Sequence, residues 1–359
     1  MRYLGSKENL LNFIDEALRR HSAISTAERP LSLCDPFTGT TSVARHLKRQ
    51  DWRVVTGDLM AYSYAFQHAY IALNEAPTFT ALLDAGALDS SIILPMPLQR
   101  VIAHLNNLRG IEGFCYWHYS PDGPEGRRYF TAANALRIDA IRGAIKDWWE
   151  MGWLTESERN LLLTCLIEAV SRVANVAGTY AAYLKGWDSR AHKPLILHVP
   201  ALVYSAHEHS VNMADANELV SREQFDLLYI DPPYNARQYC TNYHLLETLA
   251  MGDEPEVTGV SGLRPSDGKR SAYCKASEAE SQLSALVCSS RANWILLSYN
   301  SEGIIPSERI IEILSQKGNV EVYNCAYPRY RSDADSDSRR YQANSKVQEM
   351  LYWVTTSDR

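Results

Sequence analysis

The stretch Phe225-Asp-Leu-Leu-Tyr-Ile-Asp-Pro-Pro-Tyr234 decides how this chain is read. Its first six residues are too apolar and too short for a surface helix, and they read as a strand buried on both faces. A carboxylate, two prolines and an aromatic ring follow at once. The prolines fix φ and remove two backbone donors, so the strand ends in a stiff, partly dry turn that offers acceptors only. Such a turn suits a flat amine that must be gripped. Next comes Asn235-Ala-Arg-Gln-Tyr239, then an apolar helical run, Tyr243 to Ala250.

Working outward, Leu31 to Cys34 reads as a second buried strand, closed by Asp35-Pro-Phe-Thr-Gly-Thr40 and followed by a helix over Ser42 to Lys48. Arg53 to Thr56 reads as a strand ending at Gly57-Asp58, and Ala61 to Leu73 as an aromatic-rich helix. Further strands are expected at Asn293 to Ser298, Val320 to Tyr323 and Met350 to Thr355. A helix is expected at Glu308 to Leu314, with Pro306 ahead of it where proline is tolerated. Strands alternating with helices predict a parallel sheet covered on both faces. Such sheets place ligands at the carboxyl ends of their strands. Residues 76–205 break the alternation and read as helical. There Thr155-Glu-Ser-Glu158 is a capping box opening a long helix to about residue 176 that belongs in a core. The sheet is therefore expected from 1–75 and 206–359, with 76–205 inserted.

Composition narrows the function classes. The chain has 359 residues, 46% hydrophobic and 22% charged, as expected of a soluble globular protein. No apolar run is long enough for a membrane span, and no secretory signal is evident. Seven scattered cysteines without a C-x-x-C pair fit a reducing cytoplasm and argue against structural zinc, and the ten histidines show no ligand spacing. The net charge of −6 does not by itself suggest nucleic acid, although a local basic surface is compatible with it. Gly39 would allow close approach of a ligand to the backbone, and Asp58, at the end of the second strand, could accept from both hydroxyls of a ribose. The plainer reading is a tight turn and a surface acid.

Three motifs in order, Arg2-Tyr-Leu-Gly-Ser-Lys7, Asp35-Pro-Phe-Thr-Gly-Thr40 and Asp231-Pro-Pro-Tyr234, resemble the DNA N6-adenine methyltransferases of the Dam-like class. The chain is most similar to those of type II restriction–modification systems. The resemblance implies an α/β, Rossmann-like methyltransferase sheet with a helical target-recognition insertion. It implies S-adenosylmethionine as cofactor, held by Tyr3, Lys7, Asp35, Phe37, Gly39, Asp58 and Asp215. It implies methyl transfer to a flipped adenine of double-stranded DNA at Asp231, Pro232, Pro233 and Tyr234. No metal or membrane is implied. A cognate restriction endonuclease acting separately, and a place near the nucleoid of a prokaryote, are further expectations. Cations among aromatics mark Arg128, Lys185, Arg190, Lys269, Arg270 and Arg331 as DNA contacts, each equally readable as a solvated surface charge, and Arg237, adjacent to the Asp231 turn, is a better candidate than the rest. An RNA adenine methyltransferase and a non-catalytic DNA-binding scaffold are the alternatives.

Overall fold

The computed structural model describes residues 5–327 and 347–357. Two compact units share the chain. One comprises Met1–Leu4, Met60–Tyr204 and Tyr239–Gly268, the other Gly5–Leu59, Ser205–Gln238 and Lys269–Arg359. The block Tyr239–Gly268, which sequence reasoning left with the sheet, groups with the helical unit.

Among the described residues the sheet unit holds seven strands: β1 Ser32–Asp35, β2 Arg53–Asp58, β3 Ser210–Met213, β4 Leu227–Ile230, β5 Trp294–Asn300, β6 Gly318–Tyr327 and β7 Val347–Thr356. Their order is β3-β2-β1-β4-β5-β7-β6. The first five are parallel, but β7 runs antiparallel between β5 and β6. The expected parallel sheet is thus found in β1 to β5 and corrected at β6 and β7, where β7 pairs antiparallel with both its neighbours.

Alternate residues of the strands feed opposite faces. Cys34, Val55, Leu228, Ile230, Ile295 and Leu297 form one core with the helices Ala216–Arg222, Ala279–Ser289 and Ser307–Leu314. On the other side, the N-terminal helix Leu11–Arg19 buries Ile14, Ala17 and Leu18. His21, just after it, stacks on Trp353 of β7 with ring centroids 3.8 Å apart. This docking fixes the segment that carries Lys7.

The helical unit is built around Ala132–Glu150 and Glu156–Val173. The second opens with the expected capping box: Glu158 N–H donates to Thr155 Oγ1, and Thr155 N–H donates to the Glu158 carboxylate. It stops at Val173, and Leu161, Leu162, Cys165, Leu166 and Ala169 are buried. The aromatic-rich segment after β2 is α-helical only over Ala61–Gln67, and its last turn, His68–Ala72, widens to a π-helix.

Candidate active site

In an open α/β sheet the functional crevice lies where the strand order reverses, outside the carboxyl ends of the strands. Here β2 and β3 extend from one edge of β1 while β4 and β5 lie beyond its other edge. The crevice therefore falls at β1 and β4. Their last residues run directly into Asp35 and Asp231.

The β1 turn is tied to its neighbour. Thr38 N–H donates to the Gly57 carbonyl at 3.1 Å, and Gly39 N–H donates to Asp58 Oδ2 at 3.0 Å. Gly39 has φ +50° and Thr41 φ +64°. At Gly39 this left-handed geometry is what a side-chain-free residue adopts without strain. Asp58 thus braces the turn, and its own carbonyl accepts from Ala214 N–H at 3.1 Å. Asp35 is 2% exposed. Its Oδ2 accepts from Thr38 Oγ1 at 3.2 Å, whereas Oδ1 is buried with no hydrogen-bond partner among the described residues. Burial first, and the Asp231 charge second, push its pKa up to about 8.

The β4 turn carries the other carboxylate. Lys7 Nζ lies 3.2 Å from Asp231 Oδ1 and 3.5 Å from Glu349 Oε2. It also sits 5.5 Å from the centroid of the Tyr234 ring. Burial disfavours the Lys7 ammonium, but the two carboxylates outweigh it and its pKa is raised. Asp231 moves up to about 6: burial is the main cause, Lys7 opposes it, and Glu349 adds to it. Glu349, on β7, is held from behind by Asn300 Nδ2, which donates to Oε1 at 3.1 Å; the two residues face each other across β5 and β7. The Tyr229 hydroxyl, buried on β4, is raised by burial and by Asp231 and Asp35.

The Tyr234 ring packs edge-on to Tyr299 with centroids 6.1 Å apart, and the Tyr234 carbonyl accepts from Ile304 N–H at 3.0 Å. Gly303 lets this happen. A Cβ at that position would lie 2.1 Å from Tyr299 Cε1. Beside the β1 turn, Phe37 meets Tyr273 edge-to-face at 5.0 Å. Asp215 caps the helix Ala216–Arg222, accepting from Asn217 N–H at 2.9 Å.

The sequence-derived residues therefore divide. Lys7, Asp35, Phe37, Gly39, Asp58, Asp215, Asp231, Pro232, Pro233 and Tyr234 all belong to the sheet unit, at or next to the carboxyl ends of β1 to β4. Tyr3 and Arg331 lie outside the described residues. In the sheet unit, Arg237 and Arg270 are exposed and Lys269 is half-buried. In the helical unit, Arg128 and Lys185 are exposed, with the Arg128 guanidinium donating to the Lys185 carbonyl at 2.8 Å. Arg190 is taken up internally, by Asp188 at 2.9 Å and the Val176 carbonyl at 3.1 Å.

Neighbouring residues that shared those cation–aromatic patterns are structural. Tyr129 and Phe130 are fully buried. Arg127 donates to the carbonyls of Gly259, Val260 and His118. Arg264 pairs with Asp253 and Asp267. Glu349, Asn300 and Tyr273 were not singled out in the sequence. For Glu349 the sequence offers only a carboxylate at the head of the apolar run Met350-Leu-Tyr-Trp-Val354, with nothing to pair it with Lys7.

Comparison with known proteins gives the family of the chain. Residues 3–313 match the family described as D12 class N6 adenine-specific DNA methyltransferase. The chain is 36% identical over 357 residues to the type II methyltransferase M.FokI of Planomicrobium okeanokoites, covering 99% of this chain and 52% of that protein. It is 34% identical over 345 residues to the type II methyltransferase M.NlaIII of Neisseria lactamica, covering 96% of each. It is 34% identical over 360 residues to the modification methylase StsI of Streptococcus sanguinis, again covering 99% of this chain but 52% of that protein. The chain thus spans about half the length of two of these relatives and nearly all of the third. Among the described residues, no helix is long and apolar enough to cross a membrane.

Proposed function

The chain belongs to the D12 class of N6 adenine-specific DNA methyltransferases, and we propose that it transfers a methyl group from S-adenosylmethionine to the exocyclic amine of a flipped-out adenine in double-stranded DNA, at a specific site and within a restriction–modification system. The observation that carries the proposal is the pair of carboxylates, buried Asp35 and half-buried Asp231, ending adjacent strands at the point where the sheet reverses its order.

S-adenosylmethionine, when bound, supplies a methyl group already activated on a sulfonium. The residues present fit it. Asp35 offers a buried oxygen with no hydrogen-bond partner among the described residues, and a carboxyl so placed calls for a donor or a cation. Gly39 leaves the turn open to backbone approach, Asp58 is the acid at the second strand's end, and the rings of Phe37 and Tyr273 frame an apolar wall. Asp215 and Lys7, read with the same group, have structural partners of their own here, a helix N-terminus and two carboxylates. Tyr3 would complete the set.

Asp231 and the Pro232 carbonyl act on the amine. An adenine amine is a weak nucleophile because its lone pair is delocalised into the ring. Two acceptors, one per N–H, pull it towards tetrahedral geometry and aim the lone pair, so rate comes from orientation and electrostatics. The Pro232 carbonyl serves because the Pro-Pro turn leaves no local donor to compete for it. Asp231 accepts through the oxygen that Lys7 does not hold. Extruding the base costs a few kcal/mol, and stacking on the Tyr234 ring returns on the order of 1–3 kcal/mol. Arg237, Lys269 and Arg270 are the cations of this unit suited to phosphate contacts. Arg128 and Lys185 are those of the helical unit, which we assign to target recognition.

The test is transfer of labelled methyl groups to unmethylated duplex DNA, followed by single-molecule sequencing of the product. Methylated adenine in one sequence context is the expected result; label on RNA only, or on no nucleic acid, would refute the proposal. Asp231→Ala should abolish transfer while leaving cofactor binding detectable by calorimetry.

A further inference from the structure

Asp231 does not meet Lys7 alone. The ammonium that touches its Oδ1 is shared with a second carboxylate, the buried Glu349 of β7, whose other oxygen is pinned by Asn300. Asn300 is itself fixed, because its Oδ1 accepts from Glu302 N–H at 2.8 Å. The result is a line of partners, Asn300–Glu349–Lys7–Asp231, in which every link is set by a strand end or by the docked N-terminal helix.

A lone lysine 3.2 Å from a carboxylate would keep that carboxylate ionised but would also draw its electron density, making it a poorer acceptor for the amine. A lysine held between two carboxylates cannot serve both fully. We infer that Glu349 is a positioning residue for methyl transfer, which draws Lys7 back from Asp231 and so keeps the Asp231 carboxylate basic, with one oxygen available to the amine. The inference rests on the proposed role of Asp231 and deepens it.

The groups facing Asp231 are Lys7 from the N-terminal segment, Glu349 from β7, Asp35 from the β1 turn and Tyr229 from β4, with Tyr234 against Lys7. Lys7 and Glu349 act on Asp231 in opposite senses, one as a cationic partner and the other as a second carboxylate. Removing the charge of Glu349 therefore has a defined sign. Lys7 then serves Asp231 only, and a like charge disappears, so both effects make Asp231 a weaker base.

The experiment is the pH dependence of kcat/KM for methyl transfer to unmethylated duplex DNA, measured from pH 5 to 9 for the wild type, Glu349→Gln, Lys7→Met and the double variant. Glu349→Gln keeps the shape and the hydrogen bond to Asn300. Its acidic limb should move down by about one pH unit, and its plateau should fall several-fold. With Lys7 absent the same Glu349→Gln change should move the midpoint less, because only the like charge is then removed and no lysine is left to shift. If Glu349→Gln by itself does not fold, Glu349→Asp, which keeps the charge but shortens the reach to Lys7, takes its place with the same expected sign. An unmoved or raised midpoint in the Glu349 variant, or an equally large downward shift in the Lys7→Met background, would overturn the inference. A wild type that methylates no duplex at all would instead bring down the proposed function.

Discussion

Replacing Lys7 by methionine tests the electrostatics of the site most directly. The ammonium stands 3.2 Å from Asp231 Oδ1. At an effective dielectric of about 20, a unit charge pair at that distance interacts by roughly 5 kcal/mol. That figure is a ceiling, since the Asp231 side chain keeps 14% of its exposure and water replaces part of the lost partner. A third of it still amounts to more than one pH unit. Loss of a nearby cation disfavours the ionised carboxylate, so the Asp231 pKa must rise from about 6 to above 7. Activity that needs the carboxylate would then be depressed tenfold or more at pH 6 and would recover by pH 9. Stopped assays of kcat/KM against pH, at saturating methyl donor, would read this. An acidic midpoint at or below the wild-type value refutes the reasoning. A loss that extra methyl donor restores, with the limb unmoved, would show instead that Lys7 serves the cofactor, as the N-terminal motif alone implies.

Other outcomes follow from the same geometry. Asp35, raised to about 8, is mostly protonated at pH 7, and a cationic ligand would ionise it. Binding of S-adenosylmethionine at pH 7 should release a proton, seen as a buffer-dependent calorimetric enthalpy that disappears in Asp35→Asn. In the folded chain this raised pKa stabilises at low pH. That contribution is complete below the unfolded value near 4 and is lost as pH rises through about 8, so Asp35→Asn should flatten the fall in stability between those limits. Gly303→Ala drives a methyl group into the Tyr299 ring and should lower turnover by displacing Tyr234, while costing about 1–3 kcal/mol in urea titrations. Thr155→Ala removes one arm of the capping box and should cost about 1 kcal/mol with kcat unchanged.

Much of the sheet was legible because its central strands are buried on both faces. β1, β2, β4 and β5 are short apolar runs closed by turn residues, and no other element fits that pattern. β3 escaped notice because Ser210-Val-Asn-Met213 is an edge strand, half-exposed and half-polar. The direction of β7 was invisible because it depends on a hairpin pairing rather than on periodicity. In the site, Asp35 and Asp231 were readable since each ends a strand at a turn of unusual composition. Glu349 was not, because its meaning comes from Lys7, 342 residues earlier in the chain. The cationic stretches were the least legible. Arg127 and Arg128 are neighbours of identical chemistry, yet one is buried under three carbonyls and the other faces solvent.

The antiparallel insertion of β7 has a consequence in time. A strand lodged between β5 and β6 is the last piece of this sheet to be synthesised, and it brings Glu349 to a lysine 342 residues before it. Contacts across such a separation form late, since the loop they close is so long. The Asp231 carboxylate therefore acquires its electrostatic setting only when the sheet is complete. A half-made chain can present the Asp-Pro-Pro-Tyr turn, but it cannot yet hold that turn in its working state of charge.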